Sequence, residues 1–123
     1  MLPYDPRVNY FGAEGTKLAD VFAEILKLMP ELRNGWNYAA YRHDVAYTGP
    51  KATGFFAWLK DFLNQRKADK TFGDDLEEAV AIAEDEGKIS FDRAERAMTL
   101  AKISYKAVRY FGWKSYRTGG QNA

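Results

Sequence analysis

Cysteine is missing from all 123 residues. Disulfide staples and thiolate-ligated zinc are therefore excluded together, and stability has to come from packing. No run approaches the ~20 apolar residues that span a bilayer. The opening stretch, Met1-Leu2-Pro3-Tyr4-Asp5-Pro6, has neither the basic start nor the apolar core of a secretory signal. A soluble, unexported chain is expected. Charge of one sign is scarce as well: 18 Lys and Arg stand against 17 Asp and Glu, which gives no overall nucleic-acid signature, and no nucleic-acid partner is expected. Histidine occurs only once, at position 43.

What is present is apolar and periodic. With 46% hydrophobic residues and no low-complexity stretch, the chain can bury one core, so one domain over residues 1–123 is expected. Thr16 to Met29 carries Leu18, Val21, Phe22, Ile25 and Leu28 at helical spacing, with Thr16 as N-cap and Pro30 as stop. Asn34-Gly35 reads as a chain break, Trp36 to Tyr47 as a second helix, and Gly49-Pro50 as its end. A third helical region runs from Phe55 through Asp69 to Ala83, with Asn64 and Gly73 as places to bend. Gly87 reads as a C-cap, Ser90 as the next N-cap, and Phe91 to Phe111 as a fourth helix with Ala94, Met98, Ala101, Tyr105 and Val108 on one face. Thr118 to Ala123 reads as a loose tail. No alternating strand pattern longer than a few residues occurs, so the class is all-α.

Charges are clustered along the chain. Asp74 to Glu86 contains no Lys or Arg, whereas Arg96, Lys102, Lys106, Arg109, Lys114 and Arg117 follow with no acid among them. The plain expectation is two solvated faces that pair across a helix hairpin. Glu84 to Ser90 has a faint likeness to half an EF-hand, but placing Gly87 at the sixth loop position puts Arg93 at the twelfth, where a bidentate glutamate is required. A helix–turn–helix connection is the expectation there.

The chemistry centres on His43. It shares a helical face with Trp36, Ala39, Ala40 and Tyr47, so the sole imidazole points at apolar neighbours. On the third helix Phe62, Asp69 and Leu76 recur every seventh residue, and the carboxylate interrupting that buried stripe needs a partner. A His43–Asp69 pair satisfies both groups. The aspartate would fix the tautomer and leave the other ring nitrogen to take a proton from water, with Tyr47 one turn on as a donor to Asp69. The competing readings are a salt bridge from Asp69 to Arg66 or Lys70, and Asp75 as the dyad acid. Asp44 lies about 100° around the helix from His43 and faces elsewhere. A hard divalent cation such as Ca²⁺, completed by carbonyls of a glycine-containing loop and by water, would suit it.

These residues carry a likeness. Tyr41-Arg42-His43-Asp44-Val45-Ala46-Tyr47, together with Arg66-Lys67-Ala68-Asp69-Lys70-Thr71-Phe72-Gly73-Asp74-Asp75-Leu76, resembles the catalytic helices of the phospholipase A2 superfamily, closest to its small bacterial and fungal members. Leu100 to Gly112 looks like the closing helix of that subgroup. The resemblance implies two antiparallel catalytic helices, a water activated by His43, an orienting Asp69 supported by Tyr47, and catalytic Ca²⁺ at Asp44. It also implies a glycerophospholipid membrane surface as partner. Tyr10-Phe11-Gly12-Ala13-Glu14-Gly15 resembles the Tyr-x-Gly calcium loop of viral members, including the parvoviral capsid phospholipase, which implies Tyr10 and Gly12 as carbonyl ligands. Asn34-Gly35-Trp36 is the alternative loop. Ala39, Ala40 and Ala46 stand where secreted members carry flanking cysteines, which points to a reducing cytoplasm or a virion.

Two aromatic surfaces complete the reading. Phe55, Phe56, Trp58, Leu59 and Phe62, with Lys51 and Lys60 nearby, are a candidate lipid interface, with core burial as the plain alternative. Arg109, Trp113, Lys114, Tyr116 and Arg117 are a second, suited to anionic headgroups. The resemblance implies a calcium-dependent hydrolase of the sn-2 ester. The competing classes are an inactive virion or phage component that keeps the helices, and a lipid- or protein-binding module.

Overall fold

The structure is a computed structural model that describes residues 2–11, 16–112 (without the side chain of Phe111) and 116. Four α-helices occur there and no strand: α1 (Lys17–Leu28), α2 (Arg33–Thr48), α3 (Ala57–Asp85) and α4 (Phe91–Phe111). The chain is all-α, as its periodicity predicts. No helix among the described residues is long and apolar enough to cross a membrane.

Local chemistry sets most boundaries. Thr16 caps α1 by accepting from the Ala19 amide at 3.1 Å, satisfying one of the open N–H groups of the first turn. Val21, Phe22 and Ile25 are its buried face. At the α3–α4 turn the Lys88 amide donates to Ala83 at 2.8 Å and the Gly87 amide to Glu84 at 3.0 Å, while Gly87 takes φ +71°. That is the paired hydrogen-bond closure of a helix end in which glycine enters the left-handed region without a Cβ clash. Ser90 then caps α4 through the Arg93 amide. The segment is a helix–turn–helix connection, as expected.

The break expected at Asn34-Gly35 is absent. Asn34-Gly35 lies inside α2, which starts at Arg33 directly after a 3₁₀ turn at Pro30–Leu32. Proline opens that turn because its missing N–H is not needed there. A Cβ on Gly35 would come within 3.1 Å of the Ala79 Cβ, so this glycine lets α2 approach α3 rather than turning the chain. Likewise α3 continues through Asn64 and Gly73, and a Cβ on Gly73 would come within 3.2 Å of the Tyr105 ring. Phe55 and Phe56 precede α3 instead of opening it.

From α2 to α4 the helices follow one another antiparallel. Gly35 meets Ala79, His43 meets Asp69 and Tyr47 meets Gln65, so α2 and α3 run in opposite directions; Gly73 against Tyr105 and Asp69 against Arg109 give the same sense for α3 and α4. The core between them holds Phe22, Ile25, Trp36, Phe72, Leu76, Val80 and Leu100. Phe11 plugs it from the N-terminal segment, its ring 4.5 Å from Phe22 and 5.9 Å from Phe72 between centroids. That segment is strapped to α2 by buried Asn37, which donates to the Val8 carbonyl at 2.6 Å and accepts from the Tyr10 amide at 2.9 Å. Among the described residues the expected pairing of acidic and basic runs does not occur: no ion pair joins Asp74–Glu86 to α4, and Arg96 pairs with Glu24 of α1 instead; Lys114 and Arg117 lie outside the described residues. Within the run, Asp74 pairs with Lys70 one turn before it and Asp75 with Arg42 of α2.

Candidate active site

Asp69 has no exposed surface and lies where α2, α3 and α4 meet. Its Oδ1 is 2.7 Å from His43 Nε2 and accepts from the Tyr47 hydroxyl at 2.5 Å. Oδ2 accepts from Arg109 Nη1 at 2.8 Å. A buried carboxylate is costly unless its lone pairs are met, and here three donors meet them. An ionised carboxylate can only accept, so His43 Nε2 carries the proton and Nδ1 holds the free lone pair. The imidazole is fixed further by Tyr47, 4.1 Å between centroids, and by Phe72 at 4.8 Å. Burial and the Asp69 charge push the Tyr47 phenol well above its ordinary range. It therefore remains a donor at any physiological pH.

The competing assignments fail on partners. Lys70 pairs with Asp74 at 3.0 Å, and no bond joins Asp69 to Arg66 or Lys70 among the described residues. Asp75 pairs with Arg42 at 3.0 Å, not with His43. Its carboxyl is raised chiefly by burial, which the Arg42 cation opposes.

A pocket of about 230 Å³ opens between α2 and α3, lined by Arg42, His43, Asn64, Lys67, Thr71 and Asp75 among others. The sole histidine thus borders solvent-accessible space and is held through Nε2 to Asp69. Tyr116 also lines this pocket, is buried, and packs edge-on against Tyr47 at 5.2 Å; Lys51 sits 4.4 Å over its ring.

Asp44 is half-buried. Among the described residues it has no hydrogen-bond or ion-pair partner, and burial alone pushes its carboxyl up to about 7. A carboxylate so placed is stabilised by a cation, so the residue fits a hard metal ion. No group of three or more His, Asp or Glu that could hold a metal occurs among the described residues; carbonyls and water would complete the shell. Tyr10 packs against Tyr41, one turn before Asp44, at 5.1 Å between ring centroids. Gly12 lies outside the described residues. The alternative loop at Asn34-Gly35-Trp36 is overturned, because those residues are helical and their carbonyls belong to the α2 ladder.

Three features escape the sequence reading. Arg109 and Tyr116, expected on a headgroup-facing surface, instead belong to the dyad's surroundings: the Arg109 side chain is 18% exposed and salt-bridged to Asp69. Gln65, buried in α3, reaches the Tyr47 hydroxyl at 3.5 Å. Gly112 leaves room for that hydroxyl, since a Cβ there would lie 2.6 Å from it. The only signal for Arg109 was its place next to Val108 on the apolar side of α4. Phe55, Phe56 and Trp58 stand in solvent and not in the core, while Trp113, Lys114 and Arg117 lie outside the described residues. Comparison of the chain with protein-family models, with curated proteins and with solved structures finds no match in any of the three.

Proposed function

We propose that this chain is a calcium-dependent hydrolase of the phospholipase A2 type that cleaves the sn-2 ester of glycerophospholipids. The observation that carries the reading is the buried His43–Asp69–Tyr47 network next to a half-buried Asp44 that has no partner among the described residues. The antiparallel α2 and α3 that present these groups support a phospholipase A2-like arrangement of the two helices.

In this reading a water held at His43 Nδ1 gives up its proton to the imidazole as its oxygen attacks the ester carbonyl. Asp69 keeps Nε2 protonated and stabilises the imidazolium that forms. Tyr47 and Arg109 hold the aspartate in place. When the ester C–O bond breaks, His43 returns the proton to the departing alkoxide, which gives a fatty acid and a lysophospholipid with no acyl-enzyme. Ca²⁺ held by Asp44, with carbonyls such as those from Tyr10 onward and with water, would neutralise phosphate and carbonyl charge.

Mixed phospholipid vesicles with and without chelator test the proposal. Fatty-acid release that requires Ca²⁺, vanishes in His43→Ala and falls sharply in Asp69→Asn is expected. Vesicle binding with no release at any Ca²⁺ concentration would favour a lipid-binding module, the reading to which the exposed aromatics of α3 also lend support.

A further inference from the structure

The turn after Gly54 and the first two turns of α3 expose side chains that folded proteins normally bury. Phe55 is 89% exposed, Trp58 64% and Phe56 59%, and Leu59, Phe62 and Leu63 are exposed beside them. They are contiguous: Phe55 and Phe56 pack edge-on at 4.9 Å, and Trp58–Phe62 and Leu59–Leu63 are neighbours one turn apart. A clustered apolar face of this kind marks a partner surface.

Charge identifies the partner. From Val45 to Ala68 the single acid is Asp61, which has no exposed surface and accepts from the Ala52 amide. Lys60, Arg66 and Lys67 are exposed. A second copy docked by two-fold symmetry would set these cations against their own counterparts. A bilayer with anionic headgroups complements them, and Trp and Phe between lysines is the composition that settles at the boundary of headgroup and acyl chain.

The same helix leads to the pocket. Asn64, Lys67 and Thr71, on the next turns of α3, line the cavity that His43 borders. Arg109 lies 5.5 Å over the Phe62 ring while it holds Asp69. We infer that the Phe55–Phe56 turn and the N-terminal turns of α3 form the face by which this chain docks onto an anionic bilayer. The inference deepens the hydrolase reading and rests on it only for the identity of the substrate.

Co-sedimentation of the full chain with vesicles of phosphatidylcholine, alone or with about one third phosphatidylglycerol, tests the face. Binding to the anionic vesicles and little to the neutral ones is expected. Phe55→Ser with Trp58→Ser should lower the partition coefficient at least about tenfold, and Lys60→Gln about fivefold, the weight of one cation at an anionic surface. All substituted side chains are exposed, and unchanged helicity by circular dichroism confirms that the variants fold. Equal binding by parent and double variant, or no binding by the parent, overturns the face. So does a parent dimer in light scattering that the double variant breaks, or preference for an acidic protein over anionic vesicles. Hydrolysis of a short-chain phospholipid below its aggregation concentration by the parent separates the two readings. If it is absent while vesicle binding follows the expected pattern, docking is supported and the hydrolase reading fails. If it is present while vesicle binding is absent, docking is overturned and the hydrolase reading stands.

Discussion

Asp44→Asn should stabilise this chain at alkaline pH while removing its response to calcium. Burial raises the Asp44 carboxyl from its ordinary 3.8 to about 7. An acid raised on folding stays protonated in the native state where the unfolded chain has already ionised. Its contribution is therefore whole below 3.8, is lost as pH rises, and above about 7 the full cost of burying the charge is present. At about 1.4 kcal/mol per pH unit, the loss is about 4 kcal/mol. This is the opposite sign from an aspartate whose carboxyl is lowered by a salt bridge. Asparagine keeps the shape and cannot ionise, so in chelator the two chains should match near pH 4 and diverge by up to about 4 kcal/mol near pH 8, with Asp44→Asn the more stable. Calcium at about a hundred times its dissociation constant should return about 2.7 kcal/mol to the parent and nothing to the variant. Urea denaturation followed by circular dichroism, with chelator or with calcium, measures all of this. Parallel pH profiles for the two chains, or equal stabilisation of both by calcium, would refute the reasoning.

Arg109→Leu leaves Asp69 Oδ2 buried without its cation and should cost about 3–5 kcal/mol of stability in urea; a loss below about 1 kcal/mol would mean that His43 and Tyr47 suffice for the carboxylate. Asn37→Ala removes both polar contacts of the N-terminal strap and should cost about 1–3 kcal/mol while speeding proteolytic cleavage within residues 2–11, whereas an unchanged cleavage rate would show that the tyrosine contacts hold the strap alone. Gly112→Ala presses a methyl against the Val108 carbonyl oxygen as well as the Tyr47 hydroxyl and should destabilise by about 3 kcal/mol or more. Tyr47→Phe should relieve part of that cost in a double-mutant cycle, and strict additivity would count against a contact between the two.

Much of this arrangement could be read from the sequence because its signals are local. Thr16, Gly87 and Ser90 act within one turn of their own helix ends, so the residue type nearly dictates the boundary. The His43–Asp69 pair was legible because a carboxylate on an apolar stripe has to find a partner, and one helix carried the only imidazole. Arg109 was not, since its pairing depends on the register of α4 against α3, which no spacing along one helix encodes. Glycine misled at Gly35. Within a helical pattern it means either a turn or a close contact, and only the residue opposite, Ala79 for Gly35 or Tyr105 for Gly73, decides which. The strap has no periodicity to read, and its anchor Asn37 looks from the sequence like one more polar position.

The two glycine contacts also bear on how a chain without cysteine holds three helices near enough for this chemistry. A hydrogen bond of 2.7 Å between His43 and Asp69 requires that α2 and α3 stay packed against each other along this stretch. Small residues form a seam where the helices approach: Gly35 of α2 faces Ala79 of α3, and Gly73 of α3 faces Tyr105 of α4. Such contacts contribute little apolar area each, so the larger share of burial falls to large side chains such as Phe11, Phe22, Trp36 and Phe72. Enlarging a seam residue separates the helices and stretches the dyad directly, whereas trimming a core ring leaves a cavity at one remove from it. Seam substitutions should therefore damage the His43–Asp69 geometry more, per unit of stability lost, than core substitutions do.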